Sequence, residues 1–136
     1  MLNFTIHTTT EIVFGRGIEE QIGPKLKEIG AHRVLIHFGG SSARSSGLLD
    51  RVEQSLFHAG LSFIEFGGVE PNPKVSMVRK GIALCQREGI DFILAVGGGS
   101  VIDSAKGIGM GVATGRDPWE FAATGTAPDK TLPVAT

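Results

Sequence analysis

Tyrosine is missing from the 136 residues, cysteine and tryptophan occur once each, and neither sign of charge prevails, with 13 Lys and Arg against 14 Asp and Glu. The lone thiol, Cys85, excludes an internal disulfide framework or a CxxC metal knuckle and fits a reducing, cytoplasmic setting. Without a basic block there is nothing to meet a polynucleotide, so no nucleic-acid partner is expected. No apolar run reaches membrane-spanning length, and the opening Met-Leu-Asn-Phe-Thr-Ile-His has no basic region followed by an apolar stretch. No membrane association is expected, and Asn3-Phe4-Thr5 is then a chance sequon. A fixed-length repeat and a Pro/Ser-rich hinge are also absent, so residues 1–136 read as one domain, with 41% hydrophobic residues to build a core.

What the chain has in abundance is glycine, 20 residues placed at the ends of periodic segments. Phe4 to His7 and Glu11 to Phe14 read as two short strands, a small N-terminal β-hairpin. Ile18, Ile22, Leu26 and Ile29 then share one helical face, closed by Gly30. Val34-Leu-Ile-His-Phe38 is a continuous apolar run, as a parallel strand covered on both faces requires, and it stops at Gly39-Gly40-Ser41-Ser42. A helix through Leu48, Leu49, Val52, Leu56 and Phe57 leads to a strand over Leu61 to Phe66. The loop Gly67-Gly68-Val69-Glu70-Pro71-Asn72-Pro73 precedes a helix through Val75, Val78, Ile82 and Cys85. This alternation of strand and helix predicts a parallel sheet flanked by helices, with its ligand crevice at the carboxyl ends of the strands. The loops 39–42, 67–73 and 97–100 all fall at that edge.

The third loop is the most informative. The strand Phe92 to Val96 runs into Gly97-Gly98-Gly99-Ser100 and then a helix, so phosphate oxygens can approach backbone N–H groups at the positive end of the helix dipole. Ser100 is a candidate N-cap, with Asp103 three residues later as a short capping box. The pattern is neither G-x-G-x-x-G, whose third glycine would fall on Ile102, nor a Walker A before Lys106. A bare triple glycine is equally a strand-to-helix turn without a ligand. Gly107, Gly109 and Gly111 in the helix that follows imply close packing as compensation for their low helix propensity. Gly115 to Phe121 breaks the periodicity, with Trp119 and Phe121 expected to pack that segment, and Leu132 to Thr136 reads as a strand starting where the sequence stops. The chain is therefore expected to be part of a longer protein.

Gly97-Gly98-Gly99-Ser100-Val101-Ile102-Asp103-Ser104-Ala105-Lys106 resembles the cofactor loop of the iron-containing (group III) alcohol dehydrogenases, in particular their butanol dehydrogenase branch. Phe14-Gly15, Gly39-Gly40-Ser41-Ser42, Pro71-Asn72-Pro73 and Leu132-Pro133 are similar to the same family, so the resemblance covers essentially the whole chain. Glycerol dehydrogenase and dehydroquinate synthase have related loops and stay open as alternatives. The resemblance implies a Rossmann-like N-terminal domain of a two-domain enzyme, a homodimer or larger, that moves hydride between a nicotinamide and a primary alcohol or aldehyde. It also implies Fe2+ or Zn2+ held by one Asp and three His of a C-terminal helical domain, which is not among these residues. No Asp here begins an Asp-x3-His pair, and His7, His32, His37 and His58 lie on different elements, so neither a metal site nor a catalytic residue is expected in this chain. His37, in an apolar strand, is expected to be buried and hydrogen-bonded.

Residue by residue, Gly97, Gly98, Gly99 and Ser100 are expected to surround a pyrophosphate. By resemblance and by their place at a strand end, Gly39, Gly40 and Ser41 face the adenosine ribose. Many NAD sites set a carboxylate against the ribose 2′-hydroxyl; none follows Phe38 through Arg44, so NADP(H) is preferred over NAD(H), with Ser41, Ser42 and Arg44 as donors. Asn72 resembles the family residue on the adenine side, though a turn-forming role suits it too. Asp103 binds cofactor or caps its helix, and repulsion from a pyrophosphate favours capping. A standalone phosphate-binding module and an interaction domain are the competing readings. A surface left apolar for a second domain would favour self-association.

Overall fold

Val34, Leu35, Ile36 and His37 are all buried, which places their strand at the centre of the sheet. The computed structural model describes residues 9–136. A 3-10 turn, Ile18–Gln21, leads into α1 (Ile22–Glu28), followed by β1 (Arg33–Phe38), α2 (Ser42–Ser45), α3 (Leu48–His58) and β2 (Ser62–Phe66). Then come α4 (Val75–Glu88), β3 (Phe92–Val96), α5 (Gly99–Thr114), α6 (Pro118–Thr124) and β4 (Val134–Ala135). The four strands are parallel in the order β2-β1-β3-β4, with Ile36 of β1 opposite Glu65 on one side and Leu94 on the other.

Period-two alternation along the strands divides the core between the two faces of the sheet. Val34, Ile36, Phe92, Leu94 and Val96 pack with Leu26 of α1 and Leu49, Val52 and Leu56 of α3. Leu35, Ile93 and Ala95 pack with Val78 and Cys85 of α4 and Val101, Ala105 and Ile108 of α5. Burial pushes the Cys85 thiol up to about 12, which makes it an inert core side chain. Helices α4 and α5 interlock reciprocally: a Cβ on Gly81 would strike Ile108, and one on Gly111 would strike Ile82. This close approach is the compensation expected for glycines within a helix.

The sequence expectations differ from the structure at its edges. Glu11 to Phe14 forms no strand, and Ile12 and Phe14 are 84% and 100% exposed, because none of the four strands of the described sheet pairs with them. The other half of the expected hairpin, Phe4 to His7, lies outside the described residues. The helix expected from Ile18 to Ile29 is broken into the 3-10 turn and α1. The Gly115–Phe121 break contains the start of α6: Asp117 Oδ1 accepts from Trp119 N at 3.0 Å and Pro118 fills the first helical turn, where its missing N–H costs nothing. Phe121 is buried under the Arg116 guanidinium, 4.7 Å from its ring centroid, whereas Trp119 is 60% exposed and does not pack as expected.

Candidate functional site

The chain leaves β1 to build β2 on one side and then returns past β1 to build β3 on the other. At that reversal the connections out of the carboxyl ends of β1 and β3 diverge, and a crevice opens between them. The loop after β1 begins with Gly39, and the loop after β3 is Gly97-Gly98, running directly into α5. Val101, in the first turn of α5, joins the two: a Cβ on Gly39 would lie 3.7 Å from Val101 Cγ2, and one on Gly97 only 2.7 Å from the same methyl. The loop after β2 closes the third side, since Gly68 N donates to Gly39 O at 2.9 Å and Val69 N to Phe38 O at 3.3 Å.

Gly97 and its neighbours differ in what surrounds them. Gly97 has φ 157° and no room for a side chain beside Val101. A Cβ on Gly98 or Gly99 would meet nothing within 4 Å, so open space lies directly against this backbone. Val101 N and Ile102 N both bond to Gly98 O, at 3.0 and 3.2 Å, which leaves the amides of Gly99 and Ser100 at the unpaired end of a sixteen-residue helix. Oxygens of a phosphate suit that end in charge and hydrogen-bonding direction, so the residues present fit a dinucleotide's pyrophosphate. The expected capping box does not form. The N-cap is Gly98, no side chain caps α5, Ser100 lies inside the first turn, and Asp103 is exposed without a capping role.

Beyond β1, Phe38, Gly39, Gly40, Ser41, Arg44, Ser45 and Gly68 line an open cleft of about 470 Å³. Ser42 starts α2, where its carbonyl accepts from Ser45 Oγ at 3.2 Å, and it is not among the lining residues. Arg44 lies 5.7 Å from the Phe38 ring centroid and makes an ion pair with Glu65. Asn72 is exposed in the turn between its two prolines with φ 56°, the one described non-glycine residue with positive φ, and it lines neither this cleft nor the smaller one beside α4. The turn-forming alternative therefore describes its geometry. Sequence reasoning named Val101 and Gly68 only as parts of their segments, since their importance is set by neighbours distant in the chain, and gave no role to Glu65, which a strand pattern treats as a solvent-facing position.

His37 lies beneath the crevice, fully buried as expected, and ties its walls together. Its Nδ1 is 2.7 Å from Phe66 O, which only accepts, so Nδ1 carries the hydrogen and Nε2 accepts from Ser104 Oγ at 2.8 Å. Burial, partly offset by the Phe66 carbonyl, holds the imidazole below its ordinary value of 6.5. Among the described residues no group of three or more His, Cys, Asp or Glu converges as metal ligands would.

Comparison with known proteins agrees with this geometry. The model of the family described as iron-containing alcohol dehydrogenase matches residues 9–136. The chain is 46% identical over 136 residues to the Bacillus subtilis protein named "Probable NADH-dependent butanol dehydrogenase 1", covering all of this chain and 35% of that one. It is 40% identical over 131 residues to the NADPH-dependent aldehyde reductase YqhD of Escherichia coli, covering 92% of this chain and 32% of the relative. The crystal structure of NADH-dependent butanol dehydrogenase A from Thermotoga maritima superposes with a TM-score of 0.93 at 39% identity, over 97% of this chain and 33% of that one. The chain thus spans about a third of the length of these relatives. A matching family model over nearly the whole chain, together with a crevice of the expected form at the sheet's reversal, shows that the chain belongs to the iron-containing alcohol dehydrogenase family.

Proposed function

We propose that this chain is the cofactor-binding part of a metal-dependent alcohol dehydrogenase that transfers hydride between NADP(H) and a primary alcohol or aldehyde. The observation that carries the reading is the open space against Gly98 and Gly99 at the amide end of α5, beside a cleft lined by Gly39, Gly40 and Ser41. In this reading the pyrophosphate lies on Gly97, Gly98, Gly99 and Ser100, the adenosine ribose lies against Gly39, Gly40 and Ser41, and Ser42 and Asn72 stand further along the adenosine side. The bound nicotinamide carries the hydride. The part played by these residues is to hold the dinucleotide so that its reactive carbon is fixed in line with substrate. Asp103, exposed on α5, stands near the cofactor in this reading. Fe2+ or Zn2+, and the catalytic groups, belong to residues beyond these. The names of the relatives support the substrate class, and a cytoplasmic homodimer or larger assembly completes the proposal.

Preference for NADP(H) rests on the loop after β1: it has no carboxylate from Gly39 to Ser45, and it places Arg44 on the cleft. Relatives are named for NADH and for NADPH alike, so the preference needs its own test. Titrating the complete protein with each nucleotide should give tighter binding of NADPH. Arg44→Gln should weaken NADPH about tenfold, the worth of one charge-assisted contact, and leave NADH unchanged. Equal loss of both nucleotides in that variant would refute Arg44 as the 2′-phosphate donor, and failure of the unaltered protein to bind either would refute the site.

A further inference from the structure

We infer that Glu53 and Glu65 act together as positioning residues that set the strength of the NADP(H) preference, by engaging the guanidinium of Arg44 against a competing ribose 2′-phosphate. The inference rests on the reading of the cleft as the adenosine ribose site. Arg44 reaches the cleft from α2, half-exposed, with the Phe38 ring on one side and Glu65 of edge strand β2 as its ion-pair partner. Behind Glu65 is Glu53 of α3, whose Oε1 is buried with no hydrogen-bond partner among the described residues. Asp50, one turn earlier on α3, adds further negative charge to this wall.

Burial, followed by the hydrogen bond and charge of Glu65, raises the proton affinity of Glu53 above its ordinary carboxylate value. Glu65 is thus the carboxylate that meets Arg44, with Glu53 close behind it. Set against Arg44, the Glu65 carboxylate offsets the guanidinium charge. A 2′-phosphate arriving in the cleft must then draw the guanidinium from Glu65 and accept the nearby carboxylate charge. A 2′-hydroxyl does neither. The loop lacks the acidic residue that would reject a 2′-phosphate, and the opposing charge is supplied instead from a neighbouring strand and helix, where it moderates the preference without abolishing it.

The test is equilibrium binding of NADPH and NADH to the complete protein in four forms. In Glu53→Gln/Glu65→Gln the cluster becomes cationic, and the affinity ratio of NADPH over NADH should rise on the order of tenfold, with a steeper loss of NADPH binding as salt is added. Glu65→Gln alone should raise the ratio less, because the Glu53 carboxyl remains beside Arg44. The triple variant with Arg44→Gln should return to the ratio of Arg44→Gln alone. NADH affinity that stays level across the series serves as the control for folding. A ratio that is unchanged or lower in the double variant, while Arg44→Gln still weakens NADPH, would overturn the inference and leave the ribose-site reading intact. An unchanged ratio in Arg44→Gln would bring down both.

Discussion

The two loops that face each other across the crevice solve the same problem with different materials. After β3 the groups offered to a ligand are backbone amides on glycines with open space before them. After β1 they are side chains, Ser41 and Arg44, with Arg44 tied to Glu65 on a third element. Backbone N–H groups bind any phosphate and cannot tell one dinucleotide from another, whereas a guanidinium balanced by carboxylates senses a single added charge. Affinity and discrimination are therefore separated in space, and they should separate under mutation.

The largest effect is expected at Gly98. Its φ of −91° and ψ of −165° suit any residue and its Cβ would enter open space, so Gly98→Val should cost the fold no more than about 1 kcal/mol, the loss of a favourable N-cap glycine. The added methyls would stand where the pyrophosphate oxygens go. Losing about one charge-assisted hydrogen bond, ~3 kcal/mol, lowers affinity on the order of a hundredfold. NADH and NADPH should suffer equally; a change in their ratio would break the separation of roles. Gly97→Ala should reverse the pattern. Its Cβ would lie 2.7 Å from Val101 Cγ2, in a backbone region that L side chains rarely adopt, so overpacking and strain together should cost about 2 kcal/mol of stability. Denaturant unfolding checks it, and a cost below ~0.5 kcal/mol, the size of a neutral surface change, would mean that Val101 does not wedge the loops apart.

The same contrast explains what the sequence revealed. The sheet was legible because strands buried on both faces must be almost wholly apolar, as β3 and, His37 aside, the buried run of β1 are. The glycine loop was legible because backbone binding leaves its mark as missing side chains at consecutive positions. The cap on α5 was misread because Ser100 and Asp103 fit a capping pattern two residues late, while the helix starts at Gly99 with Gly98 as its cap. The charged cluster at the other loop was hidden for a deeper reason: Arg44, Glu53 and Glu65 come from α2, α3 and β2, and only the pairing of β2 beside β1 brings them together. Asp117-Pro118, by contrast, was a local helix-start signal that a reading by apolar periodicity passed over.

The smallest predicted effect concerns the bridge between the two loops. His37 leaves β1 just before Gly39, and Ser104 follows the β3 loop by little more than a helical turn, so their hydrogen bond fixes one wall of the crevice to the other. The imidazole is neutral in the folded protein and its pKa lies below 6.5, so in the unfolded chain it binds a proton that the native state refuses. Stability from this group is complete above about pH 6.5 and declines as pH falls from there toward the lowered native value, with a limiting slope of about 1.4 kcal/mol per pH unit. Glu53 acts in the opposite sense, because its raised pKa makes its contribution greatest below 4.5 and reduces it as pH rises. The difference between the native protein and His37→Gln isolates the histidine. Chemical unfolding measured at intervals from pH 5 to 8 should show the variant less stable throughout, with a gap that narrows below pH 6.5. A gap independent of pH would mean that the bridge accommodates a charged imidazole, with Ser104 Oγ turning to accept from Nε2, and that the walls are joined by packing alone.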